Sequence, residues 1–151
     1  MIAARVSWLA ALAVAGASCS GASANRAVAH RAFAEILEGR RVELAGELYD
    51  PAFRNHGVAR DGDLAEDLAA LRALHGAAPP DMRVTPELTV AEGDLVAVLW
   101  RASGTRQGVR REFRGATFWL IRDGRIREEW STFDEVEMLR WLGLLPGPGG
   151  K

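Results

Sequence analysis

The stretch DGRIREEWSTFDEVEMLRWLGL, Asp123 to Leu144, decides the fold. Asp123-Gly124 is a strong hairpin signal, because a tight two-residue turn needs residues that accept a positive φ. Arg125 to Thr132 then alternates as a strand. Ile126, Glu128, Trp130 and Thr132 fall on one face and Arg127, Glu129 and Ser131 on the other. Asp134 leads into a short helix over about Glu135 to Leu142, with Val136, Leu139 and Leu142 as its apolar stripe. A carboxylate at such a junction is either a proton-transfer group facing a pocket or a helix cap, since Asp134 and Glu137 also make an Asp-x-x-Glu capping box. The two roles are compatible.

Working back from this stretch, the chain keeps an extended character as far as Ala78-Pro79-Pro80. Val109 to Arg122 reads as a strand, and Leu95 to Ser103 as one that is apolar on both faces and therefore central. Met82 to Ala91 precedes it across the turn Glu92-Gly93-Asp94. Before the prolines the pattern is helical. Asn25 to Gly39 has a cap at Asn25 and a stripe at Val28, Ala32, Phe33, Ile36 and Leu37, and a shorter helix spans Arg41 to Tyr49. A third begins near Asp61 or Asp63 and ends at His75, with Leu64, Leu68, Leu71 and Leu74 on one side. His75 in the last turn suits the helix dipole as a cation. Pro51 to Gly57, carrying Phe53, Asn55 and His56, is a loop or a short strand. Helices followed by an antiparallel meander define an α+β fold: a curved antiparallel sheet with helices on its concave side, enclosing a small-molecule pocket.

The first 24 residues stand apart. Arg5, an apolar run from Val6 to about Ala17 and a small-residue tail make a signal peptide over residues 1–24, too short to span a bilayer comfortably. Two processing sites compete: Ala22-Ser23-Ala24 releases a chain beginning at Asn25, whereas Gly16-Ala17-Ser18-Cys19 resembles a lipobox that places a lipid anchor on Cys19. The expectation is an exported protein, periplasmic or secreted, or anchored as a lipoprotein. One domain over residues 25–143 and a disordered tail over residues 144–151 follow.

Composition removes several classes of function. Cys19 is the single cysteine, so no intramolecular disulfide and no cysteine-based metal site can form. The formal charge is −1 and falls to about −2 once Arg5 leaves with the leader, which argues against nucleic acid as a partner. The arginines from Arg101 to Arg127 are interleaved with acids and read as a solvated sheet face. No GxSxG, HExxH, P-loop or GxGxxG motif is present.

Ser103-Gly104-Thr105-Arg106-Gln107-Gly108, then Asp123-Gly124-Arg125-Ile126-Arg127-Glu128-Glu129-Trp130, Asp134 and Leu142-Gly143 resemble the SnoaL-like polyketide cyclases, or ester cyclases, of the cone-shaped NTF2-like superfamily. Tyr49 to His56 is similar to the family's early segment, and Arg106 stands where its GTHxG turn has histidine. The resemblance implies a cofactor-free, metal-free intramolecular aldol closure with Asp134 as acid/base. It also implies a small hydrophobic or carbonyl-bearing ligand and a homodimer paired through the outer sheet face. In such a site His56 and Arg106 are the hydrogen-bond donors to the developing oxyanion, with Trp100, Glu128 and Trp130 lining the pocket. Each has a structural alternative: a loop histidine, core tryptophans, and a salt-bridged edge at Glu128. Two other functions fit the same fold. One is a non-catalytic ligand-binding or interaction module. The other is isomerase or epoxide-hydrolase chemistry, which uses paired acids or an acid with a tyrosine, here the single Tyr49.

Overall fold

The computed structural model describes residues 12–57 and 60–146. Helix α1 (Leu12–Arg31) runs into a π-helical segment at Ala32–Glu38, followed by a 3-10 turn at Val42–Leu44 and the single-turn α2 (Ala45–Leu48). Strands β1 (Tyr49–His56) and β2 (Asp61–Asp63) precede α3 (Leu64–Ala77), and then come β3 (Arg83–Glu92), β4 (Leu95–Arg106), β5 (Val109–Arg122), β6 (Arg125–Phe133) and α4 (Glu135–Leu142). The six strands form one curved sheet in the order β2-β1-β6-β5-β4-β3. Every pairing is antiparallel except β1 with β6, which is parallel, so the sheet is mixed and not purely antiparallel as the meander suggested. The segment Pro51 to Gly57, open between loop and strand in the sequence, lies mostly in β1.

The core lies where the first helical arm meets β4 and β5. Phe33 and Ile36 are buried against Val96, Val98, Trp119 and Ile121, and the Phe33 and Trp119 rings sit 5.3 Å apart at a tilt. Asn25, expected to cap a helix start, lies inside α1 instead. Its side-chain amide donates to the carbonyls of Gly93 (3.0 Å) and Ile121 (3.2 Å), next to the turns that end β3 and β5. A buried amide with both bonds made fastens the helix to that end of the sheet. The helical arm therefore begins before Asn25. Residues 1–11 of the leader and 147–151 of the tail lie outside the described residues, and no described helix is long and apolar enough to cross a membrane.

Helix α3 starts where Asp63 accepts from the Glu66 amide (2.9 Å) and Glu66 reaches back to the Asp63 amide (3.3 Å), a complete capping box. None of its residues is fully buried, although Leu64, Leu68, Leu71 and Leu74 all pack against the core. Its apolar stripe covers an opening in place of packing into a filled interior.

Two interruptions shape the sheet. On β3, Pro86 pairs with Trp100 and Leu88 with Leu99, leaving Glu87 unpaired. On β6, Ile121 pairs with Ile126 but Leu120 pairs with Glu128, so Arg127 is the unpaired residue of a bulge. The space above β5 is set by Gly115. A Cβ there would collide with the Trp100 ring and lie 2.8 Å from Phe133 Cβ. Gly115→Ala is therefore expected to lower stability by about 2 kcal/mol or more through overpacking. Urea denaturation would show a clear drop in midpoint, and a parental midpoint would contradict the packing described.

Candidate functional site

A cavity of about 290 Å³ opens between α3, α4 and the concave face of the sheet. That volume is near the lower end for small-molecule sites, which run to about 1,000 Å³. Its walls are mostly apolar, from Phe33, Leu71, Met82, Trp100, Trp119 and Phe133 among others. Polar groups converge at one end: Glu129 and Ser131 from β6, Thr117 from β5, Tyr49 and Asn55 from β1, and Asp67 from α3.

Glu129 is the centre of this group. Its carboxylate accepts from the indole N–H of Trp119 (2.7 Å) and from the hydroxyl of Ser131 (2.9 Å). Behind Ser131 the chain of bonds continues to the Thr117 hydroxyl (2.8 Å), which in turn accepts from the Trp100 indole (3.0 Å). These donors favour the charged carboxylate, but burial opposes them and the nearby Asp67 charge adds to the opposition. The outcome is a Glu129 pKa raised to about 7. Asp67 is also raised by burial, and is held back by the Asn55 amide, which donates to it at 2.6 Å. Tyr49, buried beside both acids, has its phenol pushed well above its ordinary value, chiefly by burial, and so keeps its proton. The site thus holds one carboxyl that changes charge near neutral pH, a second carboxyl of raised basicity and a permanent phenol donor.

Of the residues singled out from the sequence, Trp100 lines this cavity, as does Tyr49, whereas Asp134, His56, Arg106, Glu128 and Trp130 do not. Asp134 accepts from the Glu137 amide (3.0 Å) as the N-cap of α4. Arg106, expected in the pocket wall, packs its guanidinium against Gly143 and donates to the Trp141 carbonyl, completing the C-terminal end of α4. A cation and a left-handed glycine (φ 77°) at that end both satisfy terminal carbonyls. His56 stacks on Trp130 at 4.5 Å, and its Nε2 meets Glu128 at 2.8 Å while Nδ1 lies 3.3 Å from Asp61. These three share the face of the sheet turned away from the cavity. The reason is the bulge at Arg127. Ile126 faces inward, and the extra residue reverses the alternation after it, so that Glu129, Ser131 and Phe133 follow Ile126 inward and Glu128 and Trp130 turn out.

Glu129 and Asp67 were not foreseen in the sequence, whereas Asn55, on the segment whose polar side chains were pocket candidates, does line the cavity. Asp67 carried a signal: it sits four and seven positions before Leu71 and Leu74, inside the apolar stripe of α3. Among the described residues no group of three or more His, Cys, Asp and Glu side chains is placed to hold a metal.

A curved mixed sheet that closes on helices around a polar-ended cavity is the architecture of the NTF2-like proteins. The SnoaL-like domain model matches residues 30–129, and the chain belongs to that family. Among solved structures, IdmH of Streptomyces antibioticus, described as a candidate polyketide cyclase, is 28% identical. The match covers 79% of this chain and 98% of that one with a TM-score of 0.66. A candidate polyketide cyclase from Bacillus cereus is 23% identical (TM-score 0.71, covering 85% and 86%). AclR of Streptomyces galilaeus, a candidate hydroxylase, is 18% identical (TM-score 0.69, covering 84% and 85%). The last two show the fold alone. No curated protein matches the sequence.

The raised pKa of Glu129 has a consequence for stability. Its folded value near 7 lies above the ordinary 4.5, so the native state binds the proton more tightly than the unfolded chain. The resulting stabilisation is full below about pH 4.5 and is lost as pH rises through about 7, a change of roughly 3 kcal/mol. Glu129→Gln removes it. The stability of that variant relative to the parent should rise by about 2–3 kcal/mol between pH 4.5 and 8, read from urea midpoints. A gap that stays constant over this range would mean that Glu129 titrates normally.

Proposed function

We propose that the cavity binds a small hydrophobic, carbonyl-bearing molecule and moves protons on it through Glu129 and Asp67, without a cofactor. The observation that carries this reading is a carboxyl with a pKa near 7, held in an apolar cavity beside a second acid. A general acid/base is most effective when its pKa lies near the working pH. Asp67 as carboxylate removes the proton α to the carbonyl, and Glu129 in its acid form gives its proton to the carbonyl oxygen, yielding an enol. In an aldol closure the enol carbon attacks a second carbonyl of the same molecule. The enol proton then returns to Glu129 and the new alkoxide takes the proton from Asp67, restoring both groups. Tyr49 supplies a further donor to the oxyanion, which also keeps isomerase-type chemistry within reach of the site. The neighbour IdmH, described as a candidate polyketide cyclase, supports the cyclase form.

The leader pattern over residues 1–24 supports export, with the protein either secreted or anchored through Cys19. The outer sheet face exposes Leu88, Val90, Leu99, Phe118 and Trp130, and this supports a homodimer paired through it.

The test is hydrogen exchange at the α carbons of phenylcyclohexanone in deuterated water, followed by NMR. Glu129→Gln and Asp67→Asn should each slow exchange by about 100-fold or more, and Asp134→Asn should leave it within about twofold. Because the mechanism needs Asp67 ionised and Glu129 protonated, the rate should fall as pH rises through about 7. Loss of exchange in Asp134→Asn with retention in Glu129→Gln would return the catalytic role to Asp134.

A further inference from the structure

The cavity is polar at one end by Glu129 and Asp67, but α3 carries a second polar group into its wall. His75 follows Asp67 by eight residues on the same cavity-lining stripe, with Leu71 and Leu74 between them. At 1.5 Å per residue this places the two about 12 Å apart along the helix axis. Neither ring nitrogen of His75 has a hydrogen-bond partner, and both are covered from solvent. The Leu37 carbonyl lies near the ring and can take at most one N–H, so at least one nitrogen is left without a protein partner. A buried polar group in that state calls for an explanation.

The surroundings make the imidazole neutral. Burial holds its pKa below the ordinary value, and the Arg40 guanidinium, which donates to the His75 carbonyl at 3.4 Å, adds to this. A neutral imidazole offers one donor and one acceptor. Its ring torsion is soft enough to turn either nitrogen toward the lumen. We propose that His75 is a ligand-positioning residue, and that the ligand is an elongated apolar molecule carrying a carbonyl at the Glu129–Asp67 end and a hydroxyl at the His75 end. This rests on the carbonyl-binding reading given above and adds the distal hydroxyl to it. A site built to hydrogen-bond a hydroxyl discriminates strongly against the analogue lacking it, because the protein group is then left unpaired.

The probes are phenylcyclohexanone, substituted opposite the carbonyl, and its para-hydroxyphenyl counterpart, whose two oxygens lie about 10 Å apart by ordinary bond lengths. Ligand-observed NMR on the full chain should show the hydroxylated probe bound about tenfold more tightly. His75→Phe should bring that ratio to near one while leaving affinity for the unhydroxylated probe within about twofold. His75→Gln, which keeps a donor and an acceptor, should retain a preference of about threefold or more. If His75→Phe does not fold, His75→Leu takes its place. Equal binding of the two probes by the parent, an undiminished ratio in the apolar variant, or binding of neither probe at millimolar concentration overturns the assignment. Exchange at the ketone α carbons is followed in the same samples and reads Glu129 and Asp67 alone. Exchange without a hydroxyl preference therefore sinks the role of His75 and leaves the proton-transfer reading intact, and a preference without exchange does the reverse.

Discussion

A strand in a sheet shows successive side chains to opposite faces, and a single unpaired residue inverts that order for everything beyond it. In β6 the unpaired residue is Arg127, held at 3.3 Å by Asp50 and at 3.0 Å by Asp123. Through this one insertion Glu129 enters the cavity opposite Trp119, and Glu128 leaves it for His56 on the other face. The hydrogen-bond chain from Trp100 through Thr117 and Ser131 exists because Ser131 follows Glu129 inward. Without the bulge the lumen would receive Glu128, Trp130 and Thr132, and the outer face a different set of charges.

Much of the scaffold was legible in the sequence. The Asp123-Gly124 turn, the strand from Val109 to Arg122 and the helix from Glu135 to Leu142 stand where the patterns put them, because hairpin turns and amphipathic periods are local properties. The site was less legible. A perfect two-residue hairpin places Glu128 opposite Trp119, and nothing in the alternation of β6 announces a shift of one. The parallel pairing of β1 with β6 was equally hidden, since it joins segments about 75 residues apart. Asn25 was read as a cap because its residue type favours helix starts, whereas its bonds to Gly93 and Ile121 depend on distant turns.

The cavity exists at some expense in stability. Helix α3 presents a leucine stripe yet buries none of its residues fully, and Glu129 and Asp67 sit where their charged forms are disfavoured. Other residues supply compensating rigidity. Asp134 and Arg106 fix the two ends of α4, which contributes Met138 and Leu139 to the wall, and Arg40 binds the carbonyls of His75 and Pro79 beyond α3. Asp134 and Arg106 lie in motifs that also suggest chemistry, and in this chain they hold the two ends of α4. Asp134 thus caps α4, and the carboxyl whose pKa is raised to about 7 lies five residues earlier, on β6.

The proposed chemistry turns on the charge behaviour of a single side chain. A carbon-detected NMR titration of the Glu129 carboxyl, assigned by comparison with Glu129→Gln, measures it directly. The structure predicts a midpoint near pH 7. A midpoint in the ordinary range of about 4 to 5 would contradict the buried, acid-paired environment and with it the proposed chemistry.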